Sequence, residues 1–124
     1  MGEDSMPRKI LIVDDDALIC DLYGDFFEQN GYEVYTAQKV EDALKILRGQ
    51  DFDIVLSDVV MPGRSGFDLY EEVQLFNPNL PFVFMTGYEH EEKVLDKLKE
   101  YNRRWIAKPT KLEELLEVIK REMQ

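Results

Sequence analysis

Three carboxylates, a hydroxyl and an ammonium close a set of short apolar runs. Asp14 and Asp15 follow ILIV, Asp58 follows DIVLS, Thr86 follows FVFM, and Lys108 follows WIA. Acids gathered at one edge repel by roughly 1 kcal/mol per pair in water and roughly 4 kcal/mol at an effective dielectric of 20. A divalent cation and the lysine are the groups suited to relieve that repulsion. A carboxylate so placed is a competent nucleophile toward phosphorus, forming an acyl phosphate. Phosphoryl transfer asks for little more than an aligned nucleophile and neutralised equatorial oxygens. Magnesium fits such a site, because it is commonly held by one or two carboxylates with waters and phosphate oxygens completing the shell. Each residue also has an ordinary reading. Aspartate is a preferred helix N-cap, the role assigned to Asp16. Asp58 alone reads as a loop residue, Thr86 as a cap or turn, and Lys108 as a solvated charge. Their joint occurrence at successive strand ends favours chemistry.

Strands are needed to hold these groups, and the hydrophobic pattern supplies five. Residues 10–13, 54–56 and 82–85 are continuous apolar runs, as expected of central strands covered on both faces. Residues 34–36 and 105–107 are shorter and flanked by Glu33, Arg103 and Arg104, as expected of sheet edges. Between them the apolar period becomes helical. The first stripe is Ile19, Leu22, Tyr23, Phe26 and Phe27, stopping near Asn30-Gly31. The second is Val40, Ala43, Leu44 and Leu47, ending near Gly49. The third is Leu69, Tyr70, Val73 and Phe76, closed by Asn77-Pro78. Val94, Leu95, Leu98 and Tyr101 form the fourth, and Leu112, Leu115, Leu116, Ile119 and Met123 the fifth. Five βα units predict an α/β fold, a flavodoxin-like (βα)5 doubly wound parallel sheet with strand order 2-1-3-4-5 and right-handed crossovers. In that order the first and third strands are neighbours, so Asp14, Asp15 and Asp58 come together at the switch point where ligands bind.

A chain of 124 residues with 44% hydrophobic content suits one domain with a real core. We expect a flexible lead over 1–8 and the domain over 9–124. The formal net charge of -11 argues against binding nucleic acid or an anionic membrane surface and suits protein partners with basic patches. Cys20 is the only cysteine, so no internal disulfide forms, and the residue fits a reducing compartment. The N-terminal MGEDSMPRK has no apolar signal region, and no run is long enough to span a membrane. A cytoplasmic location is the expectation.

At VDDD (13–16), SDVVMPGRSG (57–66), MTG (85–87) and KP (108–109), the chain resembles a response regulator receiver domain of two-component signalling, of the single-domain chemotaxis type. The resemblance implies that Asp58 is the phosphoacceptor and that Asp14, Asp15, Asp58 and the backbone carbonyl of Val60 hold Mg²⁺. It implies that Thr86 bonds a phosphoryl oxygen and, with Trp105, forms the switch pair, and that Lys108 contacts the phosphorylated aspartate. Pro109 would follow a cis peptide bond that aims Lys108 into the cleft. The implied protein is a signalling phosphoacceptor rather than an enzyme. A histidine kinase or phosphotransfer protein would be its donor, and a downstream protein would read the surface of the fourth helix, fifth strand and fifth helix. With no effector domain following, a stand-alone receiver is the expectation, a fragment of a longer regulator the alternative.

Several residues depart from the family pattern. The segment EYNRRWIAKPT lacks the usual Gly-Ala pair, and Trp105 is large for a ring that swings inward, so it is expected to stay outward or move partly. Thr110 is a candidate cap for the last helix with Glu113 in the capping-box position. Val60 and Tyr88 occupy positions that govern water access in receivers, and their bulk predicts slow dephosphorylation. Gly63 and Gly66 are assigned to the turn after the third strand. His90 is read as exposed and idle. Two rivals stay open: a phosphorylation-independent scaffold, and a Mg²⁺-dependent aspartyl-phosphate phosphohydrolase using the Asp14 and Asp16 spacing, for which little chain is left to build a cap.

Overall fold

β-Branched, aliphatic and aromatic residues fill the five short runs, and all five form strands: β1 (Lys9–Val13), β2 (Glu33–Ala37), β3 (Ile54–Asp58), β4 (Phe82–Thr86) and β5 (Arg104–Ala107). Five helices alternate with them: α1 (Ala17–Gln29), α2 (Val40–Gly49), α3 (Gly66–Phe76), α4 (Glu92–Tyr101) and α5 (Leu112–Glu122). The computed structural model describes residues 6–88 and 90–124, so most of the lead expected over 1–8 lies outside the described residues. All strand pairs are parallel, in the order β2-β1-β3-β4-β5 predicted from the edge charges. Strands β3 and β4 are buried along their whole length, whereas β5 is only partly covered.

The parallel register sorts alternate residues to two cores. Leu11, Val13, Val55, Phe82 and Phe84 face α2, α3 and α4, while Ile10, Ile12, Ile54, Leu56, Val83 and Met85 face α1 and α5. Phe27, Phe82 and Phe84 are fully enclosed, each contributing roughly 1.5–3 kcal/mol of hydrophobic stabilisation. Four of the helical stripes turn inward as their period predicts, except that Phe76 at the end of the third is 39% exposed. The first is rotated: Cys20, Tyr23, Gly24 and Phe27 face the sheet, and Leu22 is 53% exposed beside Leu18 at 76%. A Cβ on Gly24 would already stand 3.6 Å from Val34 Cγ1, so the helix lies close to β2 along its small residues.

Local capping follows the side chains available. Asp16 accepts from the Leu18 amide as the N-cap of α1. Ser65 and Asp68 form a reciprocal capping box at α3, one that the sequence reading missed. Thr110 does not cap α5: Lys111 occupies the N-cap position without a side-chain bond, and the Thr110 hydroxyl points to the Lys111 carbonyl instead. Among the described residues no helix is long and apolar enough to cross a membrane.

Candidate functional site

The strand ladders continue one residue beyond the strands, and this is what aims the site. The Asp14 amide donates to the Ala37 carbonyl at 3.1 Å, the Val59 amide to Met85 at 2.9 Å, and the Lys108 amide to Thr86 at 2.9 Å. Asp14, Asp58 and Lys108 therefore project from backbone still tied to the neighbouring strand. Their side chains meet in a cleft of about 510 Å³ whose walls also include Asp15, Val60, Gly87 and Tyr88. The Lys108 ammonium donates to Asp14 Oδ2 and to Asp58 Oδ2, both at 3.1 Å. The peptide bond between Lys108 and Pro109 is cis, as the resemblance implied.

Burial sets the electrostatics. Asp14 is 0% exposed and Asp58 6%, while Asp15 stands at the mouth of the cleft in solvent. Burial pushes the Asp58 carboxyl above its ordinary value; Lys108 works against that shift and the charge of Asp14 adds to it. Burial alone would pull Lys108 down, yet the carboxylates of Asp58 and Asp14 outweigh it and hold the ammonium above its usual range. One cation facing two anions gains from both, whereas Asp58 faces one of each sign.

Carboxylate oxygens of Asp14, Asp15 and Asp58 lie within 4.8 Å of one another. Trans ligands of magnesium are separated by ~4.2 Å, twice the metal–oxygen distance, so these oxygens are close to the spacing such an ion requires. All three donors are hard oxygens, the ligand type of Mg²⁺ rather than of zinc or copper. Three carboxylates against one ammonium leave two negative charges, which a divalent ion would balance. The donor set fits.

The remaining predicted residues are placed differently. Thr86 is fully buried, and its hydroxyl accepts from the Tyr88 amide at 2.9 Å, a turn-type bond. It lies at the end of β4 but does not wall the cleft. Trp105 is half-buried on β5 and packs against the core that contains Phe84, Val94 and Leu98. Val60 and Tyr88 are 42% and 46% exposed and flank the cleft mouth. His90 is exposed. Asp16 lines the cleft wall while its side chain caps α1, which leaves it poorly placed as the second acid of a hydrolase.

Sequence reasoning overlooked two residues under the site and misread a third. Ser57 is fully buried and donates its hydroxyl to the Asp58 carbonyl at 2.9 Å; a serine inside an apolar strand was the available signal. Cys20 donates its thiol to the Asp14 carbonyl at 3.3 Å, fixing α1 to the end of β1. Gly63 does serve the turn, at φ +80°, but Gly66 does not: it begins α3. A Cβ at Gly66 would stand 2.1 Å from the Asp58 carbonyl oxygen, so the glycine permits close approach of α3 to the end of β3.

Comparison with known proteins agrees with this fold. The family model described as response regulator receiver domain matches residues 10–120. The response regulator SaeR of Staphylococcus epidermidis is 34% identical over 107 residues, covering 86% of this chain and 46% of SaeR. The chain spans less than half the length of the curated regulators it matches. A receiver domain protein (CheY-like) from Methanospirillum hungatei superposes with a TM-score of 0.89 at 29% identity, covering 95% of this chain and 94% of that one. The response regulator TrrA of Thermotoga maritima, solved in complex with Mg(2+)-BeF, superposes with a TM-score of 0.81 at 30% identity, covering 92% of this chain and 97% of its own.

Proposed function

This chain belongs to the response regulator receiver domain family, and from that premise we propose that it accepts a phosphoryl group on Asp58 and thereby switches a protein-binding surface. The observation that carries the proposal is the single ammonium of Lys108 bonded to both Asp14 and Asp58 within one oxygen-lined cleft. Asp58 Oδ attacks phosphorus; the new P–O bond forms as the bond to the donor nitrogen or oxygen breaks, and the leaving group departs with its electron pair. Asp14, Asp15, Asp58 and the Val60 carbonyl are the residues to hold Mg²⁺, which when bound neutralises phosphoryl oxygens. Lys108 exchanges part of its contact with Asp58 for a contact with the added oxygens.

The phosphoryl group adds about −1.5 to −2 charge at neutral pH. Thr86, released from the Tyr88 amide, turns its hydroxyl toward that charge, and the vacated space admits partial movement of Trp105. The altered surface is that of α4, β5 and α5. A histidine kinase or phosphotransfer protein supplies the phosphoryl group, and Leu18 and Leu22, exposed one turn apart on α1, give it an apolar foothold on an acidic helix. Val60 and Tyr88 at the mouth screen the acyl phosphate from water, so the phosphorylated state decays slowly. Incubation with acetyl phosphate and Mg²⁺ tests this. One phosphoryl mass should appear on the peptide containing Asp58, persist beyond seconds, and vanish in Asp58→Ala. Labelling that survives Asp58→Ala would overturn the assignment.

A further inference from the structure

A second, apolar groove of about 240 Å³ opens between the loop after β3 and the start of α4, walled by Val59, Val60, Met61, Phe67 and Val94. Ser65 and the two lysines Lys93 and Lys97, one helical turn apart, complete its lining. We propose that this groove docks an acidic peptide segment of a partner protein. One apolar side chain of the peptide enters the groove, and flanking carboxylates meet the two lysines.

Size, chemistry and charge each narrow the occupant. The groove is smaller than the ~300–1,000 Å³ of small-molecule sites, which suits a side-chain anchor better than a whole cofactor. Its walls are aliphatic and aromatic, so the anchor is apolar. The lysines are unexpected on a chain of net charge -11. They belong to the more basic stretch of the chain: nine of the fifteen basic residues lie between positions 93 and 121, with five of the twenty-six acids, and Lys93 and Lys97 are the two that reach this groove. An acidic partner opposed by the net charge of the molecule meets two ammonium groups at the rim of this groove, the kind of local complementarity by which charge selects a docking site. Lys97 stands 3.6 Å from Glu71 and 4.0 Å from Glu100. Such exposed pairs hold little free energy, and a partner carboxylate can replace them. Val60 is the common wall of this groove and the acidic cleft. Docking here nevertheless does not depend on phosphorylation of Asp58.

The test is titration of isotope-labelled protein with a synthetic peptide carrying Leu-Phe flanked on both sides by glutamates, followed through amide chemical shifts. Shifts should centre on Val59, Val60, Phe67 and Val94 and persist in Asp58→Ala. The double charge reversal Lys93→Glu with Lys97→Glu should weaken binding about tenfold or more, equivalent to roughly 1.4 kcal/mol, and should favour a lysine-flanked version of the peptide. Replacing Leu-Phe with serines should abolish the shifts. Absence of shifts at millimolar peptide, shifts confined to another face, equal binding of the lysine-flanked peptide to the unmodified protein, or affinity unchanged by charge reversal would each overturn the proposal.

Discussion

The two halves of the sheet's carboxyl edge are built to different standards. On the β1–β3 side, Asp14 and Asp58 are buried, face the cleft, and share at 3.1 Å a lysine that reaches across from the end of β5. On the β4–β5 side, Thr86 spends its hydroxyl on a neighbouring amide and Trp105 lies half-covered on an edge strand. The first half already holds its acids against a cation. The second is satisfied by local bonds that a new charge must outcompete. Preorganisation and responsiveness are thus assigned to different side chains, and each can be perturbed separately.

Removing the lysine tests the preorganised half most severely. Lys108→Ala leaves two buried carboxylates without a cation, and breaking a buried pair costs roughly 3 kcal/mol. The loss should be measured by denaturant unfolding without metal and should shrink as Mg²⁺ is added. A variant as stable as the parent in metal-free buffer would mean the acids are far better solvated than their burial indicates. Gly66→Ala comes next. Its methyl group collides with the Asp58 carbonyl, and overpacking of that kind costs roughly 2 kcal/mol. Thermal unfolding should show the loss, with phosphorylation slowed as the end of β3 is displaced. Thr86→Val probes the other half, where loss of one hydrogen bond costs about 1 kcal/mol. The Mg²⁺ midpoint should stay where it was, and a shifted midpoint would erase the division between the halves. The smallest effect is spectroscopic: Trp105 emission should be indifferent to Mg²⁺ alone and change only when beryllofluoride is added with it. A response to the metal alone would join the two halves into one unit.

The order of elements and the acidic trio were legible because apolar runs stop abruptly at charged residues, and a buried parallel sheet leaves few other readings. Strand order followed from Glu33, Arg103 and Arg104 marking the edges. The rotation of α1 was not legible, because Leu22 satisfies the helical period and nothing in the sequence says that the close approach at Gly24 decides which side lies down. Thr110 had the residue type and spacing of a cap, yet the backbone enters the helix one residue later. Gly66 was seen but misread, since a tolerated close contact and a positive φ call for the same residue. The hydroxyl bond of Thr86 depends on a turn whose course is set by tertiary packing.

The amides of Asp14, Val59 and Lys108 belong to connecting segments, yet each is closed onto the adjacent strand. In hydrogen exchange these positions should be protected like sheet interior rather than like loops, and they should open only with the sheet itself. An edge latched in this way has no hinge at these three positions, so a displacement there would have to carry the adjoining strand with it.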